Sequence, residues 1–223
     1  ETYRTCISQR ASHIPLQHIT GVQEFMGLTF AVNEHVLVPR QDTEVLVESV
    51  LDVLQPGMSI LDMCTGSGCI LISLLKLSQG VCGIGVDISE EALKVATKNA
   101  QSIGVEATFL QSDLFTEVQG QYEVIVSNPP YIRTAVIEEL EDEVKCHDPL
   151  LALDGKEDGL YFYRAIIEKS LEYLKPSGKL YFEIGHDQGE EVSMLMRESG
   201  FTDITVKKDL AGLDRVVFGV YNQ

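Results

Sequence analysis

From residue 59 onward, short apolar runs alternate with longer stretches in which apolar side chains recur every three or four positions. The runs at 60–63, 81–86, 107–110, 124–127, 180–184, 201–206 and 216–221 read as strands; 69–77, 89–102, 159–174 and 190–198 read as helices. Ser89 offers N-cap chemistry and Gly104 a C-terminal stop for one helix, and the next helix halts before Pro176. Such βα alternation implies an α/β fold: a doubly wound, mostly parallel seven-stranded sheet with helices on both faces. The last two strands have no long helix between them, so an antiparallel strand is expected at that edge.

The pattern before this repeat is different. Residues 22–26 and 28–32 alternate around Gly27 and read as a β-hairpin. With few residues to bury, it is expected to be a flap, which divides the chain into an N-terminal remnant and flap, 1–40, and a main domain, 41–223. Asp42-Thr43-Glu44 should cap a helix whose apolar face is Val45, Leu46, Val50, Leu51 and Leu54, ended by Pro56-Gly57. Arg40 and Glu44 read either as a surface ion pair between flap and helix or as residues shaping a pocket entrance. The acidic stretch 138–143 reads as a solvated helix face, or as the seat of a basic partner.

Composition narrows the function classes. At 44% hydrophobic, 223 residues suffice for one sizeable core, and no apolar run approaches the roughly 20 residues of a membrane span. The first ten residues are polar and carry no signal-peptide pattern. The five cysteines include no C-x-x-C pair and no zinc spacing; adjacent Cys146 and His147 cannot close a metal site. Reduced cysteines in a cytoplasmic protein are expected, and no metal. A formal net charge of −17 disfavours tracking along a phosphate backbone, which needs lysine and arginine. The chain lacks an initiator Met, which points to a processed chain or a piece of a longer one.

Two stretches carry chemistry. The first is the turn Asp62-Met63-Cys64-Thr65-Gly66-Ser67-Gly68, between a strand and a helix, where glycines admit a ligand close to the backbone. A phosphate-cradling loop would need a Lys after Gly68, and a nicotinamide fingerprint would need a third glycine where Leu71 stands. The remaining reading is a nucleoside bound without a pyrophosphate, S-adenosylmethionine. Asp87, ending the next strand beside Ile88, can take the ribose hydroxyls. Asp62 can hold the methionine end or orient the turn. Asp113, before Leu114, can accept from an adenine amino group or simply cap a helix.

The second stretch is Ser127-Asn128-Pro129-Pro130-Tyr131, at the exit of a buried strand. Two prolines remove two N–H donors, so this corner offers carbonyl oxygens and few donors. Asn128 adds a side-chain carbonyl and Tyr131 a flat ring. The corner suits a planar –NH2 group, whether a carboxamide or the exocyclic amine of a base. The Asn128 side-chain oxygen and the Pro129 carbonyl are expected to accept its two hydrogens, with Tyr131 walling one side. His147 and His186 are expected to be surface or loop residues, and no general base is required.

In this order, the glycine turn, Asp87, Ser112-Asp113-Leu114-Phe115 and Asn128-Pro129-Pro130-Tyr131 resemble class I S-adenosylmethionine-dependent methyltransferases acting on amino groups. Asn-Pro-Pro-Tyr alone is shared with adenine-N6 enzymes. The flanks Pro15-Leu16-Gln17-His18-Ile19-Thr20-Gly21, Phe25-Met26-Gly27-Leu28, 36–44 and Glu183-Ile184-Gly185-His186-Asp187-Gln188-Gly189 are similar to HemK-type protein-glutamine methyltransferases. The resemblance covers the chain from about residue 10 to its end. It implies a Rossmann-like class I fold and methylation of the glutamine amide in the Gly-Gly-Gln motif of class-1 peptide chain release factors. The product of the methyl donor would be S-adenosylhomocysteine. The site carried over comprises Asp62, Cys64, Thr65, Gly66, Ser67, Gly68, Asp87, Ile88, Asp113, Leu114 and Asn128 for cofactor. For substrate it comprises Asn128, Pro129, Pro130 and Tyr131, with Asn128, Pro129 and Tyr131 catalytic. Glutamine methylation of a ribosomal protein and adenine-N6 methylation of nucleic acid stay open as alternatives. A monomer without membrane or direct nucleic-acid contact is expected. Family members carry a further N-terminal helical domain; with almost nothing preceding Arg10, it is expected to be missing or cut away here. Cys64 stands where the family usually has glycine, so an ordinary backbone region is expected for it. Leu114 replaces an aromatic residue that some relatives pack on adenine.

Overall fold

The computed structural model describes residues 3–222. Two N-terminal helices, α1 (Tyr3–Ala11) and α2 (Leu16–Thr20), lead into the hairpin β1 (Val22–Phe25) and β2 (Leu28–Ala31). A 3-10 turn, Gln41–Thr43, opens α3 (Glu44–Leu51), and β3 (Ser59–Met63), α4 (Cys69–Leu77), β4 (Cys82–Asp87), α5 (Glu90–Ile103), β5 (Thr108–Gln111) and β6 (Tyr122–Ser127) follow. Short helices α6 (Thr134–Ile137), α7 (Asp142–Lys145) and α8 (Leu150–Leu153) precede α9 (Tyr161–Tyr173) and β7 (Leu174–Glu183). The chain closes with α10 (Gly189–Glu198), β8 (Phe201–Lys208) and β9 (Asp214–Tyr221). No helix among the described residues is long and apolar enough to cross a membrane.

The seven-stranded sheet has the order β5-β4-β3-β6-β7-β9-β8. All neighbours are parallel except β9, which runs antiparallel to both β7 and β8. The closing hairpin therefore forms the expected edge, with β8 outermost and the antiparallel strand one place in. Strand alternation splits the core in two. Leu61, Met63 and Ile125 face the layer of α9 and α10, while Ile60, Val124 and Val126 face that of α3 and α4. From β3 the chain winds outward through β4 and β5, then returns to lay β6 against the other side of β3. That reversal opens a crevice between the C-terminal ends of β3 and β6, where open α/β sheets bind ligands.

Three sequence readings need correction. The hairpin is not a flap: Phe25 and Phe30 are fully buried in the α3/α4 layer, in edge-to-face contact at 6.0 Å. Asn99 of α5 clamps Ala31, accepting from its N–H at 2.7 Å and donating to its carbonyl. The 3-10 turn displaces the expected N-cap of α3, whose first residues receive no side-chain cap; Asp42 instead lies 3.4 Å from Arg215. The acidic stretch is not one helix face, because it spans the end of α6, a turn and the start of α7. Within it, Glu143 pairs with Arg10 of α1.

Candidate active site

A cavity of about 390 Å³ occupies the crevice. Its walls include Cys64, Thr65, Gly66 and Ser67 of the turn after β3, together with Asp87, Ile88, Asp113, Leu114, Asn128 and Pro130. The turn needs its glycines. Gly66 (φ +55°) and Gly68 (φ +79°) lie in the left-handed region, and a Cβ on Gly68 would sit 2.8 Å from Ile72 Cδ1. Space at Gly66 is open, so a ligand can approach its backbone.

Asp62 sits behind the turn. It is fully buried outside the cavity walls and accepts the Thr65 hydroxyl at 2.5 Å, so it orients the turn. Burial pushes its pKa up to about 7, against the Thr65 hydrogen bond, and its Oδ1 has no partner among the described residues. Asp87 does face the cavity. Its carboxylate accepts from the Gly66 and Ser89 N–H groups, each at 2.9 Å, which ties the turn to the end of β4. Burial raises its pKa despite those bonds. Asp113 is exposed at the rim.

Cys64 departs from expectation: its φ is +61°, the left-handed region that a glycine would fill without cost. The chain must turn sharply between β3 and Thr65, whose N–H reaches back to the Val86 carbonyl. The site demands the conformation and the cysteine adopts it. Leu114, which also lines the cavity, likewise has positive φ, +48°. Both Cys64 and Cys69 are held as thiols, because burial pushes their pKa values up.

The Asn-Pro-Pro-Tyr corner is braced from three sides. The Ser127 hydroxyl donates to the Met63 carbonyl at 2.7 Å, locking the exits of β3 and β6 together. Gln188 Nε2 donates to the Tyr131 carbonyl at 3.1 Å. Gly159 crosses so closely that a Cβ would meet that carbonyl oxygen at 2.5 Å. Pro129 is buried, and its carbonyl takes no hydrogen bond from the described residues. Tyr131 lies outside the cavity walls and packs against the α9 side of the core. Burial raises its hydroxyl's pKa, and Glu183, Arg215, Arg40 and Asp42 surround it electrostatically. The ring thus backs the corner.

Several contributors escaped the sequence reading. Glu183, ending β7, is 2% exposed, a carboxylate on an otherwise apolar strand, which was the signal available. Burial pushes its pKa up to about 7, against hydrogen bonds from Thr43 and Asn128 and the charge of Arg215. Thr43, Val36 and Leu37 wall the cavity. Arg40 walls the cavity, as one of its two sequence readings had it, and pairs with Asp148 at 2.9 Å, so the alternative Arg40–Glu44 ion pair does not form. Glu44 instead accepts from the Met26 N–H at 2.6 Å, anchoring the hairpin turn. His186 is exposed and His147 half-buried.

The Methyltransferase small domain model matches residues 41–144. A release factor glutamine methyltransferase of Geobacter sulfurreducens is 43% identical over 217 residues, covering 97% of this chain and 76% of that protein. One from Moorella thermoacetica is 45% identical over 215 residues, covering 94% and 76%. The chain belongs to the release factor glutamine methyltransferase family. Among solved structures, the protein-(glutamine-N5) methyltransferase of Alicyclobacillus acidocaldarius is 29% identical, with a TM-score of 0.52 over 87% of this chain and all of that one. A methyltransferase from Pyrococcus furiosus, 15% identical, superposes with a TM-score of 0.70 over 97% of this chain and all of that one, a likeness of fold. In this chain the glycine turn and the corner residues Asn128 and Pro130 wall one cavity.

Proposed function

We infer that this protein transfers a methyl group from S-adenosylmethionine to a glutamine side-chain amide nitrogen, in the Gly-Gly-Gln motif of class-1 release factors. The observation that carries this is the continuous cavity joining the glycine turn to Asn128. The residues present fit the cofactor. The turn carries no lysine or arginine for a pyrophosphate, Gly66 leaves its backbone open, and Asp87 offers a carboxylate for ribose hydroxyls. Ile88 and Leu114 give apolar walls for a base, with Asp113 beside them. Thr65, Ser67 and Gly68 fix the shape of the turn, and Cys64 contributes its backbone. Bound S-adenosylmethionine supplies an already activated sulfonium methyl.

The chain's own contribution is positional. An amide nitrogen is a poor nucleophile, because its lone pair is delocalised into the carbonyl. The Asn128 oxygen and the unclaimed Pro129 carbonyl accept the amide's two hydrogens and fix the nitrogen's direction. Pro130 closes the corner, and Tyr131 backs it. Fixing a nucleophile this way is worth up to ~7–11 kcal/mol in the best intramolecular cases. The same carbonyl dipoles stabilise positive charge growing on the nitrogen. A primary amide rather than an adenine is favoured by the −17 net charge. On this reading the protein is a cytoplasmic monomer that meets its release factor without touching nucleic acid or membrane. Incubation with S-adenosylmethionine and, separately, a release factor, a ribosomal protein and DNA, followed by mass spectrometry, tests it. A single methyl on the release factor's Gly-Gly-Gln glutamine is expected; methylation of DNA or of the ribosomal protein alone would overturn it.

A further inference from the structure

An asparagine can serve as an acceptor for an incoming –NH2 only if its own amide is turned the right way. The side chain has an oxygen at one fork and an NH2 at the other, nearly identical in shape. Presented NH2-first, Asn128 would oppose donor to donor and repel the substrate. Something behind it must prefer its NH2, and that something must accept without donating.

The sheet register supplies the candidate. Ser127 of β6 lies opposite Phe182 of β7, which sets the next residues, Asn128 and Glu183, side by side at the crevice edge. Glu183 is placed to pair with the Asn128 side chain and with Thr43, both of which favour its charged form, and its Oε2 has no partner among the described residues. The backbone at this point is held firm: the Tyr163 hydroxyl donates to the Glu183 carbonyl at 3.0 Å, and Arg215 Nη1 donates to the Ile184 carbonyl.

We propose that Glu183 is a positioning residue, whose carboxylate takes the Asn128 NH2 and so holds the Asn128 oxygen toward the substrate amide. This deepens the glutamine-methylation reading and rests on it. An ionised carboxylate only accepts, so it dictates one orientation of its neighbour; a protonated one can also donate and permits both. The groups facing Glu183 from every side fit a carboxylate kept near its tipping point. Arg215 of β9 attracts it, while Asp42 of the 3-10 turn repels it. Tyr131, Tyr163 of α9 and Cys69 of α4 also sense its charge. Arg215 is itself shared with Asp209, at 3.0 Å, and Asp42. Thr43 holds the carboxylate from the cavity side.

The test is kcat and KM for glutamine methylation across pH 5.5 to 9, with cofactor affinity measured alongside, in wild type, Glu183→Gln and Thr43→Val. Wild-type kcat should rise with pH through about 7 as Glu183 ionises. Glu183→Gln can present its own NH2 to the Asn128 oxygen, and should lose roughly 100-fold in kcat at pH 8, what a misplacement of about 1 Å costs. Its profile should be flat, with KM and cofactor affinity nearly unchanged. Thr43→Val should keep the rise in kcat but move it to higher pH, because a hydrogen bond to the charged form is gone. That second variant decides the matter if Glu183→Gln does not fold. Unchanged kcat in Glu183→Gln, or an unmoved profile in Thr43→Val, overturns the proposal while methyl transfer by wild type stands. If wild type methylates no glutamine at all, the underlying functional reading fails instead.

Discussion

Cys64 shows how a single position can be misjudged from sequence. Side-chain size and chirality argue for an ordinary backbone region, yet the turn at the cavity wall holds it at φ +61°. A non-glycine residue there costs on the order of 1–2 kcal/mol, and Leu114, also in the cavity wall, bears a similar load. Strain of this kind gathers where the fold must present backbone to a ligand. Cys64→Gly should therefore be neutral or stabilising by up to about 1 kcal/mol, the relief being partly offset by glycine's unfolded-state entropy. Cys64→Val, β-branched in the same conformation, should cost more than ~2 kcal/mol. Urea denaturation of the two variants measures both; a destabilised Cys64→Gly would show that the left-handed turn is not a strain. Asp87, Gly66 and Asn128 were legible, since each sits where a strand ends and the chain turns. Glu183 was visible only as a charge on a buried strand, because its partners Thr43 and Arg215 come from distant segments.

Elements with strong local signals emerged as read. The helix 69–77 begins and ends where its pattern does, and Ser89 caps α5 by accepting from the Ala92 N–H at 3.2 Å. The hairpin is the instructive failure. Its pairing, Val22 opposite Ala31 through Phe25 opposite Leu28, follows from alternation around Gly27. Its burial does not, because the α3, α4 and α5 surfaces that receive it are made by residues far along the chain. As a core element, Phe30 should cost about 3–5 kcal/mol when replaced by alanine. A loss below 1 kcal/mol in chemical denaturation would restore the flap interpretation. Because the segment 36–40 continues from β2 into the cavity wall, Phe30→Ala should also weaken cofactor binding.

For the molecule as a whole, doubly wound topology was readable because each βα unit announces itself locally. The cavity was not, because it exists only where β3 and β6 are brought together. Two buried carboxylates, Asp62 and Glu183, are each raised to about 7 by burial. Unfolded, both ionise near pH 4, so between about pH 4 and 7 the native state binds more protons. Their favourable contribution is complete below pH 4 and lost as pH rises through 7. Stability should fall from pH 5 to 8, and part of the fall should vanish in Asp62→Asn. Added salt should not remove it, unlike the self-repulsion of a −17 surface; a pH-independent midpoint would contradict the assigned burial. The central claim, that the main part of Asn128 is to aim a primary amide rather than to hold the cofactor, is tested most directly by single-turnover methyl transfer to a release factor by Asn128→Ala. The account predicts transfer reduced by 100-fold or more with cofactor affinity within a few-fold of wild type. Undiminished transfer, or a collapse of cofactor binding to match, would contradict it.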